Sequence, residues 1–285
     1  MIVEATSCGL GTVAVLLIVL WGYRQGRNVL PEDCPRPGRK RHGRPPPMAG
    51  IIPCLAAAIW FGVAGHPVLA GAVLVAGATG FGDDLRKARH DGLGWRTKAC
   101  GLIGASALVV HGTLGIDAVP LEVCAAFVAA TFVCINATNF LDNMHGVATS
   151  VAVVGLALTA AGGREEALPL AAIWLAFLPF NWPHGRAFLG DAGAYALGTS
   201  LAAMAVLAAD GRPLAALAPT AVLWLDFVQV VSARLYLGYA PWIGDRRHLS
   251  HLLLGAGVPL PLVAPVLAAV ALAAGLAIPI LAPAD

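Results

Sequence analysis

Long apolar runs, interrupted at short intervals by glycine, proline and charged residues, make up most of this chain. A helix that crosses the apolar core of a bilayer, about 30 Å thick, needs about 20 apolar residues. The pattern therefore predicts an all-α, polytopic integral membrane protein of about ten transmembrane helices, in which residues 1–285 form a single transmembrane domain. The ten runs lie near residues 7–22, 49–65, 67–82, 99–113, 121–139, 147–162, 167–181, 192–208, 214–237 and 259–281.

The composition is that of a membrane protein. Hydrophobic residues make up 58% of the chain and charged residues 12%, and the mean hydropathy is +0.77. Soluble domains carry about 25% charged residues, so a water-soluble globule is excluded. The net charge of +2 does not indicate a nucleic-acid partner, and none is expected. The six cysteines include no C-x-x-C pair, which leaves a disulfide framework or a structural cysteine–zinc site unsupported.

The basic residues are concentrated in every second connection between the apolar runs. If the N-terminus lies outside, the connections near 23–48, 83–98, 140–146, 182–191 and 238–258 lie inside. They hold fifteen of the eighteen Lys and Arg residues, and Arg234, at a helix end on the same side, makes sixteen. Cytoplasmic loops hold the excess of positive charge in membrane proteins. We therefore expect a multi-pass protein of the bacterial-type cytoplasmic (inner) membrane, with its polar loops facing the cytoplasm and both termini outside.

The same inside loops hold most of the unusual polar residues. Ionisable residues at membrane depth are costly and usually functional, which favours an active site at this surface. Carboxylates suit Mg²⁺ or Mn²⁺ shared with substrate phosphates, and cations complement phosphate oxygens. The set predicts phosphoryl transfer, with carboxylates from Asp83, Asp84, Asp142 and Asp191. A zinc site built from His42, His145, His248 and His251 stays an alternative, and the chain has no P-loop.

Five polar motifs stand in order between about residue 36 and residue 254. They are His42-x-x-Pro45-x-Pro47-x-x-Gly50, Gly82-Asp83-Asp84, Asn136-x-x-Asn139-Phe-Leu-Asp142, Phe188-Leu-Gly190-Asp191-x-Gly193, and Asp226 through Arg234 followed by Asp245-Arg-x-His248-x-x-His251. Together they resemble the motifs of the polyprenyl-phosphate N-acetylhexosamine-1-phosphate transferases, which form glycosyltransferase family 4. One aspartate pair would be weak evidence, whereas five motifs in the order of the family are specific.

The chain departs from the family pattern at two places and from the pattern of one branch at a third. The usual Gly-Gly of the first motif is Gly50-Ile51, and the usual Asp-Gly-x-Asp-Gly is Asp142-Asn-Met-His145-Gly. The pentapeptide branch of the family shows three adjacent histidines, which the sequence His248-Leu-Ser-His251 does not match. The resemblance is therefore closer to the undecaprenyl-phosphate GlcNAc-1-phosphate transferase branch than to the phospho-MurNAc-pentapeptide transferase branch.

The resemblance implies that the single domain is catalytic. A sugar-1-phosphate, in particular an N-acetylhexosamine phosphate, would pass from a UDP-sugar to a polyprenyl (undecaprenyl) phosphate with Mg²⁺ or Mn²⁺ as cofactor. UMP would be released, and the lipid diphosphate sugar would serve cell-envelope glycan synthesis. By the same resemblance, the metal residues would be Asp142 and Asp191, the catalytic residues Asp83, Asp84, Asn139, His248 and His251, and the substrate-binding residues His42, Lys98, His145 and Arg247.

Several alternatives stay open from the sequence. Within the family, the chain could be a phospho-MurNAc-pentapeptide transferase, and outside it a secondary transporter or a scaffold without activity. The sequence leaves undecided whether transfer takes one step or two and whether the protein forms a homodimer. Asp226 lies inside an apolar run, so it is either a buried carboxylate paired with Arg234 or a neighbouring helix, or a group that contacts substrate.

Overall fold

The chain folds into a bundle of α-helices. The computed structural model describes residues 1–27, 29–32, 47–88, 92–115, 119–209, 216–240 and 244–281. Within these ranges, pairing of the β type is confined to two isolated bridges, one of which joins Met48 to Phe188. The helices are α1 (Ile2–Arg24), α2 (Ile51–Val63), α3 (Pro67–Lys87), α4 (Trp95–Leu114), α5 (Leu121–Leu141), α6 (Val147–Ala161), α7 (Ala167–Asn181), α8 (Gly190–Ala209), α9 (Ala221–Tyr236), α10 (Leu249–Gly255) and α11 (Leu260–Leu281).

These helices confirm the prediction of an all-α, polytopic membrane protein. Each of the ten apolar runs contains a helix, and the ninth begins with a 3₁₀ turn at Ala218–Thr220 before α9. In the described part of the chain, six helices are long and apolar enough to cross a membrane, namely α1, α3, α4, α5, α8 and α11. The helices α2, α6 and α7 are apolar but shorter. The short helix α10 was not predicted, because its seven residues carry too little periodicity.

Helix α8 lies at the centre of the bundle and is buried along nearly its whole length. Its sequence is rich in alanine, glycine, serine and threonine, and small residues of this kind let helix backbones approach closely in membranes. Helices α3 and α5 pack most extensively against α8, and α4, α6 and α2 complete its surroundings. The central position of α8 brings its first residues close to the ends of α3 and α5.

Two glycines show how close these approaches are. A Cβ atom on Gly80 of α3 would overlap the backbone at Asp191 of α8. A Cβ atom on Gly50, which precedes α2, would overlap the carbonyl group of Leu189. Ile51 packs its half-buried side chain against the hydrophobic core. Only the first position of the family's Gly-Gly pair therefore needs to be glycine here.

We expect Gly80→Ala to lower the midpoint of thermal unfolding in detergent, because the added methyl group has no space against α8. Overpacking of this kind costs about 1–3 kcal/mol, and each kcal/mol corresponds to a shift of about 2–4 °C in a protein of 150–250 residues. Gly71→Ala is the control, because it lies on the same helix and nothing lies within 4 Å of its added Cβ atom. Equal falls in both variants would contradict the close packing of α3 and α8.

Candidate active site

The predicted carboxylates gather at one end of the bundle. Asp83 and Asp84 lie in the last turns of α3, Asp142 directly follows α5, and Asp191 lies in the first turn of α8. We refer to these four residues as the carboxylate cluster. The neighbouring residue Asn139 comes from the last turn of α5. The structure thus brings together the predicted residues of three separate motifs.

Two lysines bind the carboxylates of Asp83 and Asp191. The Nζ atom of Lys87 lies 2.7 Å from Oδ2 of Asp83 and 2.9 Å from Oδ2 of Asp191. The Nζ atom of Lys98 lies 3.3 Å from Oδ2 of Asp83 and 3.8 Å from Oδ2 of Asp191. The Asp83 side chain is fully buried, and a buried charge is costly unless it is paired. Lys98 was predicted, whereas Lys87 was missed although it stands four residues after Asp83 on one helix face.

The carboxylate of Asp84 caps the N-terminus of α8. Its Oδ1 atom accepts a hydrogen bond from the backbone N–H of Asp191, and its Oδ2 atom accepts one from Ala192, both at 3.0 Å. The first N–H groups of a helix have no partner within the helix, and a negative charge there is favourable. Gly190 precedes these donors with a φ of 67°, and a Cβ atom on it would lie 2.7 Å from Oδ2 of Asp84. This geometry explains the glycine before Asp191 in the motif.

Two further side chains orient Asp191. Nδ2 of Asn139 donates a hydrogen bond of 3.2 Å to Oδ1 of Asp191. The hydroxyl group of Tyr195, one turn further along α8, donates to Oδ2 at 3.4 Å. Asn139 was predicted as a catalytic residue, and its contact with Asp191 is compatible with a role in positioning that carboxylate. Tyr195 was not predicted, although its position four residues after Asp191 was a signal for a contact.

The surroundings of Asp142 oppose a negative charge on its carboxyl group. Burial and then the negative charges of Asp191 and Asp84 raise its pKa well above the ordinary value. A field of this sign attracts a cation. In the described ranges, no group of three or more His, Cys, Asp or Glu side chains is arranged to hold a metal ion by itself. Mg²⁺ usually binds one or two carboxylates together with water and substrate phosphates, and the pair Asp142 and Asp191 fits that smaller requirement.

His145 joins the loop after α5 to the segment that leads into α8. Its ring stacks on Phe188, with 5.3 Å between the ring centroids and an interplanar angle of 19°. It also packs against Gly185, where a Cβ atom would lie 2.5 Å from the Cε1 atom of the imidazole. His145 therefore lies next to the motif that positions Asp191. The predicted substrate residue His42 lies outside the described residues.

The histidine loop (residues 245–251) is held by the buried carboxylate of Asp226 on α9. Oδ2 of Asp226 lies 2.8 Å from Nδ1 of His248, and Oδ1 accepts a hydrogen bond of 2.7 Å from the backbone N–H of Leu249. The guanidinium group of Arg234 binds Asp245 through Nε at 3.1 Å and Nη2 at 3.3 Å. Asp226 is fully buried. The expectation of a buried, paired carboxylate is confirmed, but its partners are His248 and Leu249 at the start of α10, whereas Arg234 pairs with Asp245.

The residues of the histidine loop differ in their surroundings. Burial opposes ionisation of Asp245, but hydrogen bonds from Arg234 and Arg247 outweigh it and lower the pKa of Asp245 to about 2. Burial, and then the electrostatic influence of the neighbouring His248 and Arg246, lower the pKa of His251. Because its ordinary pKa is about 6.5, His251 is neutral at pH 7. The side chains of Arg247 and His251 are partly exposed, whereas His248 is buried.

The end of α5 connects the histidine loop to the carboxylate cluster. The Ser250 hydroxyl group donates a hydrogen bond of 2.5 Å to Oδ1 of Asn143, the residue after Asp142. The ring of Phe140 stacks on Phe227 of α9, with 5.7 Å between their centroids, and the guanidinium carbon of Arg234 lies 5.1 Å from the centroid of Phe140. Residues 139–143 therefore contact both groups of predicted site residues.

A family comparison covers the same part of the molecule. The model of glycosyl transferase family 4 matches residues 66–209, which include α3 to α8 and the whole carboxylate cluster. The matched segment is about half of the chain. The chain belongs to glycosyl transferase family 4. The resemblance inferred from the five motifs is confirmed.

Individual family members with two kinds of name are similar to this chain. A phospho-N-acetylmuramoyl-pentapeptide-transferase of Lacticaseibacillus paracasei is 30% identical over 225 residues, which are 67% of this chain and 70% of that protein. A decaprenyl-phosphate N-acetylglucosaminephosphotransferase of Mycobacterium tuberculosis is 32% identical over 232 residues, which are 65% of this chain and 57% of that protein. An undecaprenyl-phosphate alpha-N-acetylglucosaminyl 1-phosphate transferase of Escherichia coli is 30% identical over 145 residues, which are 45% of this chain and 40% of that protein. Membership of this family and the apolar helices make the chain a multi-pass membrane protein.

We expect Lys87→Met to lower the thermal unfolding midpoint and Arg86→Met to leave it nearly unchanged. Lys87 contacts two carboxylates of the cluster, whereas the neighbouring Arg86 is exposed. Removing one partner of a buried ion pair costs about 3–5 kcal/mol, and partial exposure of Lys87 to solvent reduces this to about 1–2 kcal/mol. Thermal unfolding in detergent at neutral pH measures the difference. A Lys87→Met variant as stable as Arg86→Met would show that Lys87 does not compensate the cluster.

Proposed function

We propose that this protein transfers a sugar-1-phosphate from a UDP-sugar to a polyprenyl phosphate. The observation that carries this proposal is the carboxylate cluster, which gathers with Lys87 and Lys98 at one end of an apolar bundle in a family 4 chain. Carboxylates and ammonium groups together suit a reaction in which phosphate charge moves between two substrates. The relatives named above are phosphotransferases and related transferases, which supports the same reaction class.

The proposed reaction joins the two substrates at phosphorus. An oxygen of the polyprenyl phosphate forms a bond to the sugar-bearing phosphorus of the donor, and the bond from that phosphorus to the UMP oxygen breaks. The products are UMP and a polyprenyl diphosphate sugar. The donor is a UDP-N-acetylhexosamine, because the chain shows His248-Leu-Ser-His251 in place of the three adjacent histidines typical of the pentapeptide branch.

The four members of the carboxylate cluster have different proposed roles. Asp142 and Asp191 would hold Mg²⁺ or Mn²⁺, which when bound neutralises the negative charge of a diphosphate. Asn139 and Tyr195 hold the Asp191 carboxylate in a fixed orientation. Asp83 orients the acceptor phosphate, and its lysine partners offer ammonium groups to phosphate oxygens. Asp84 keeps the N-terminus of α8, and with it Asp191, in place.

The donor is bound by groups on the neighbouring loops. Arg247 and His251 are the partly exposed cation and imidazole of the histidine loop, and both suit contacts with donor phosphates. His145 lies against Phe188, close to the start of α8, and an imidazole there offers the sugar a hydrogen bond without the negative charge of a carboxylate. We assign His145 to donor selectivity, because it stands where the family usually has a carboxylate.

An apolar cavity supports a lipid acceptor. It has a volume of about 470 Å³ and lies between α5, α8 and the start of α9, with Ala126, Phe127, Thr131, Ala202, Val206 and Trp224 among its lining residues. Ala202 is eleven residues beyond Asp191 on α8, which corresponds to about 16 Å along the helix axis. A polyprenyl tail in this cavity would have to extend about 16 Å along α8 for its phosphate to reach the carboxylate cluster.

The proposed location is the bacterial-type inner membrane, with the cluster facing the cytoplasm. Its support is the distribution of basic residues: fifteen of the eighteen lie in the connections on one side, and Arg234 lies at a helix end on that side. A nucleotide sugar made in the cytoplasm then reaches the cluster without crossing the membrane. The lipid acceptor reaches the same place from within the bilayer.

Purified protein should transfer radiolabelled GlcNAc-1-phosphate from UDP-GlcNAc to undecaprenyl phosphate in the presence of Mg²⁺ or Mn²⁺. EDTA should stop the reaction, and Asp191→Asn should lower the rate on the order of 10²–10³-fold, because a neutral amide replaces a charged ligand poorly. Glu165→Gln is the control, since Glu165 is exposed between α6 and α7. Full turnover in EDTA would exclude the proposed role of the metal, and a wild-type protein without transfer to any polyprenyl phosphate would exclude the function.

The cavity generates a separate prediction for the lipid substrate. Ala126→Trp should fill part of the cavity and raise the KM for undecaprenyl phosphate on the order of tenfold, the equivalent of about 1.4 kcal/mol of binding free energy, with the KM for the UDP-sugar unchanged. Ala126 is exposed on α5 and lines the cavity, so the helix can accept the larger side chain. Ala129→Trp is the matched control, because Ala129 is exposed on the same helix at a position that does not line the cavity. Equal KM values for the two variants would place the lipid tail elsewhere.

A further inference from the structure

We propose that Asp226 is a positioning residue for the proposed transfer, and that it acts through His248 to hold the histidine loop in its donor-binding conformation. This inference rests on the proposed function and changes the role of one predicted residue. His248 was predicted from the sequence as a catalytic residue. In the structure it connects α9 to the loop, and the donor contacts belong to Arg247 and His251.

Both ring nitrogens of His248 are used inside the protein. Nδ1 lies 2.8 Å from the Asp226 carboxylate, and Nε2 lies 3.4 Å from Nη2 of Arg234. The guanidinium group only donates hydrogen bonds and the carboxylate accepts them. These partners assign the proton to Nδ1 and leave Nε2 as the acceptor. With 4% of its surface exposed, His248 has no ring nitrogen directed to a soluble donor.

Asp226 also fixes the backbone next to His248. Its second oxygen accepts the N–H group of Leu249, the first residue of α10. One buried carboxylate therefore binds a side chain and the adjacent main chain, which sets both the position and the direction of the loop. Full burial of Asp226 removes competing water, so these bonds define a single geometry.

The contacts continue from His248 to the donor-binding side chains. Arg234 bridges Nε2 of His248 and the carboxylate of Asp245. Asp245 in turn accepts hydrogen bonds from the backbone N–H of Arg247 at 3.1 Å and from its Nη1 atom at 2.9 Å. The position of the Arg247 guanidinium group thus depends, through two ion pairs and one imidazole, on Asp226. A weakened bond at Asp226 would shift Arg247 before it affected the carboxylate cluster.

The loop is fixed to the cluster at one further point. The hydrogen bond from Ser250 to Asn143 connects it to the residue after Asp142. Loss of the Asp226 contacts therefore leaves the loop attached at Asp245 and at Ser250, while His248 and Leu249 between these points lose their fixed position. Arg247, which directly precedes His248, then loses its exact placement. We expect the consequence to be weaker donor binding with the chemical step largely preserved.

Two substitutions of His248 separate the positioning role from a direct role. In His248→Asn the amide nitrogen lies near the position of the imidazole Nδ1 atom. In His248→Gln the amide nitrogen reaches the position of the imidazole Nε2 atom. His248→Asn can still donate to Asp226 and should keep kcat/KM for UDP-GlcNAc within about threefold of wild type. His248→Gln and Asp226→Asn should raise the KM for UDP-GlcNAc on the order of tenfold, with kcat changed less than about threefold and the KM for undecaprenyl phosphate unchanged; tenfold corresponds to about 1.4 kcal/mol.

The measurements are steady-state kinetics and thermal unfolding of the full chain in detergent, with Glu165→Gln as the control. Asp226→Asn and His248→Gln should also unfold at lower temperature than His248→Asn. If His248→Gln is the more active His248 variant, or if all three variants lose kcat with KM unchanged, His248 acts on the substrate through Nε2 and the proposal is overturned. A wild-type protein without transferase activity would instead refute the proposed function. In that case the order of the unfolding midpoints would still show whether Asp226 holds the histidine loop through Nδ1 of His248.

Discussion

Four carboxylates lie at one end of an apolar bundle, and compensation of their charge is the constraint on which the rest of the structure depends. A buried charge costs several kcal/mol unless it is paired. Asp84 uses the N–H groups at the start of α8, whereas Asp83 and Asp191 share the ammonium groups of Lys87 and Lys98. The bonds between Asp84 and the start of α8 require α3 and α8 to approach closely. This explains why the contact between these two helices is built from glycine and alanine.

The same constraint links stability to the proposed chemistry. The bonds that compensate Asp83, Asp84 and Asp191 also orient them, and Asn139 and Tyr195 add two hydrogen bonds that orient Asp191. Asp142 is the exception, because burial and the neighbouring carboxylates leave its pKa raised. The part of the cluster that the protein compensates least is thus the part where a cation would be bound most favourably. A substrate with two phosphates supplies the remaining ligands for such a cation.

The positions that depart from the family pattern have local partners. Ile51 packs on the core where the glycine before it already provides the close approach. Asn143 binds Ser250, and His145 stacks on Phe188. Two of these contacts connect loops that belong to different motifs. The loop after α5 is therefore held on two sides by Asn143 and His145, two residues that differ from the family pattern. We expect a difference in donor preference to arise in this loop.

The sequence by itself determined the helices, the family and the surface that carries the polar residues, since hydropathy, motif spacing and charge distribution are local properties of a chain. It also predicted Asp83, Asp84, Asn139 and Asp191 as members of one site. Only the tertiary structure decided which groups pair: the bond between Asp84 and α8 joins residues 107 positions apart, and Asp226 binds His248 across 22 positions. These pairs depend on the packing of helices that are far apart in the sequence. Burial determines which carboxylates need a hydrogen-bonding or charged partner, and the packing of small residues determines which partner is within hydrogen-bond distance.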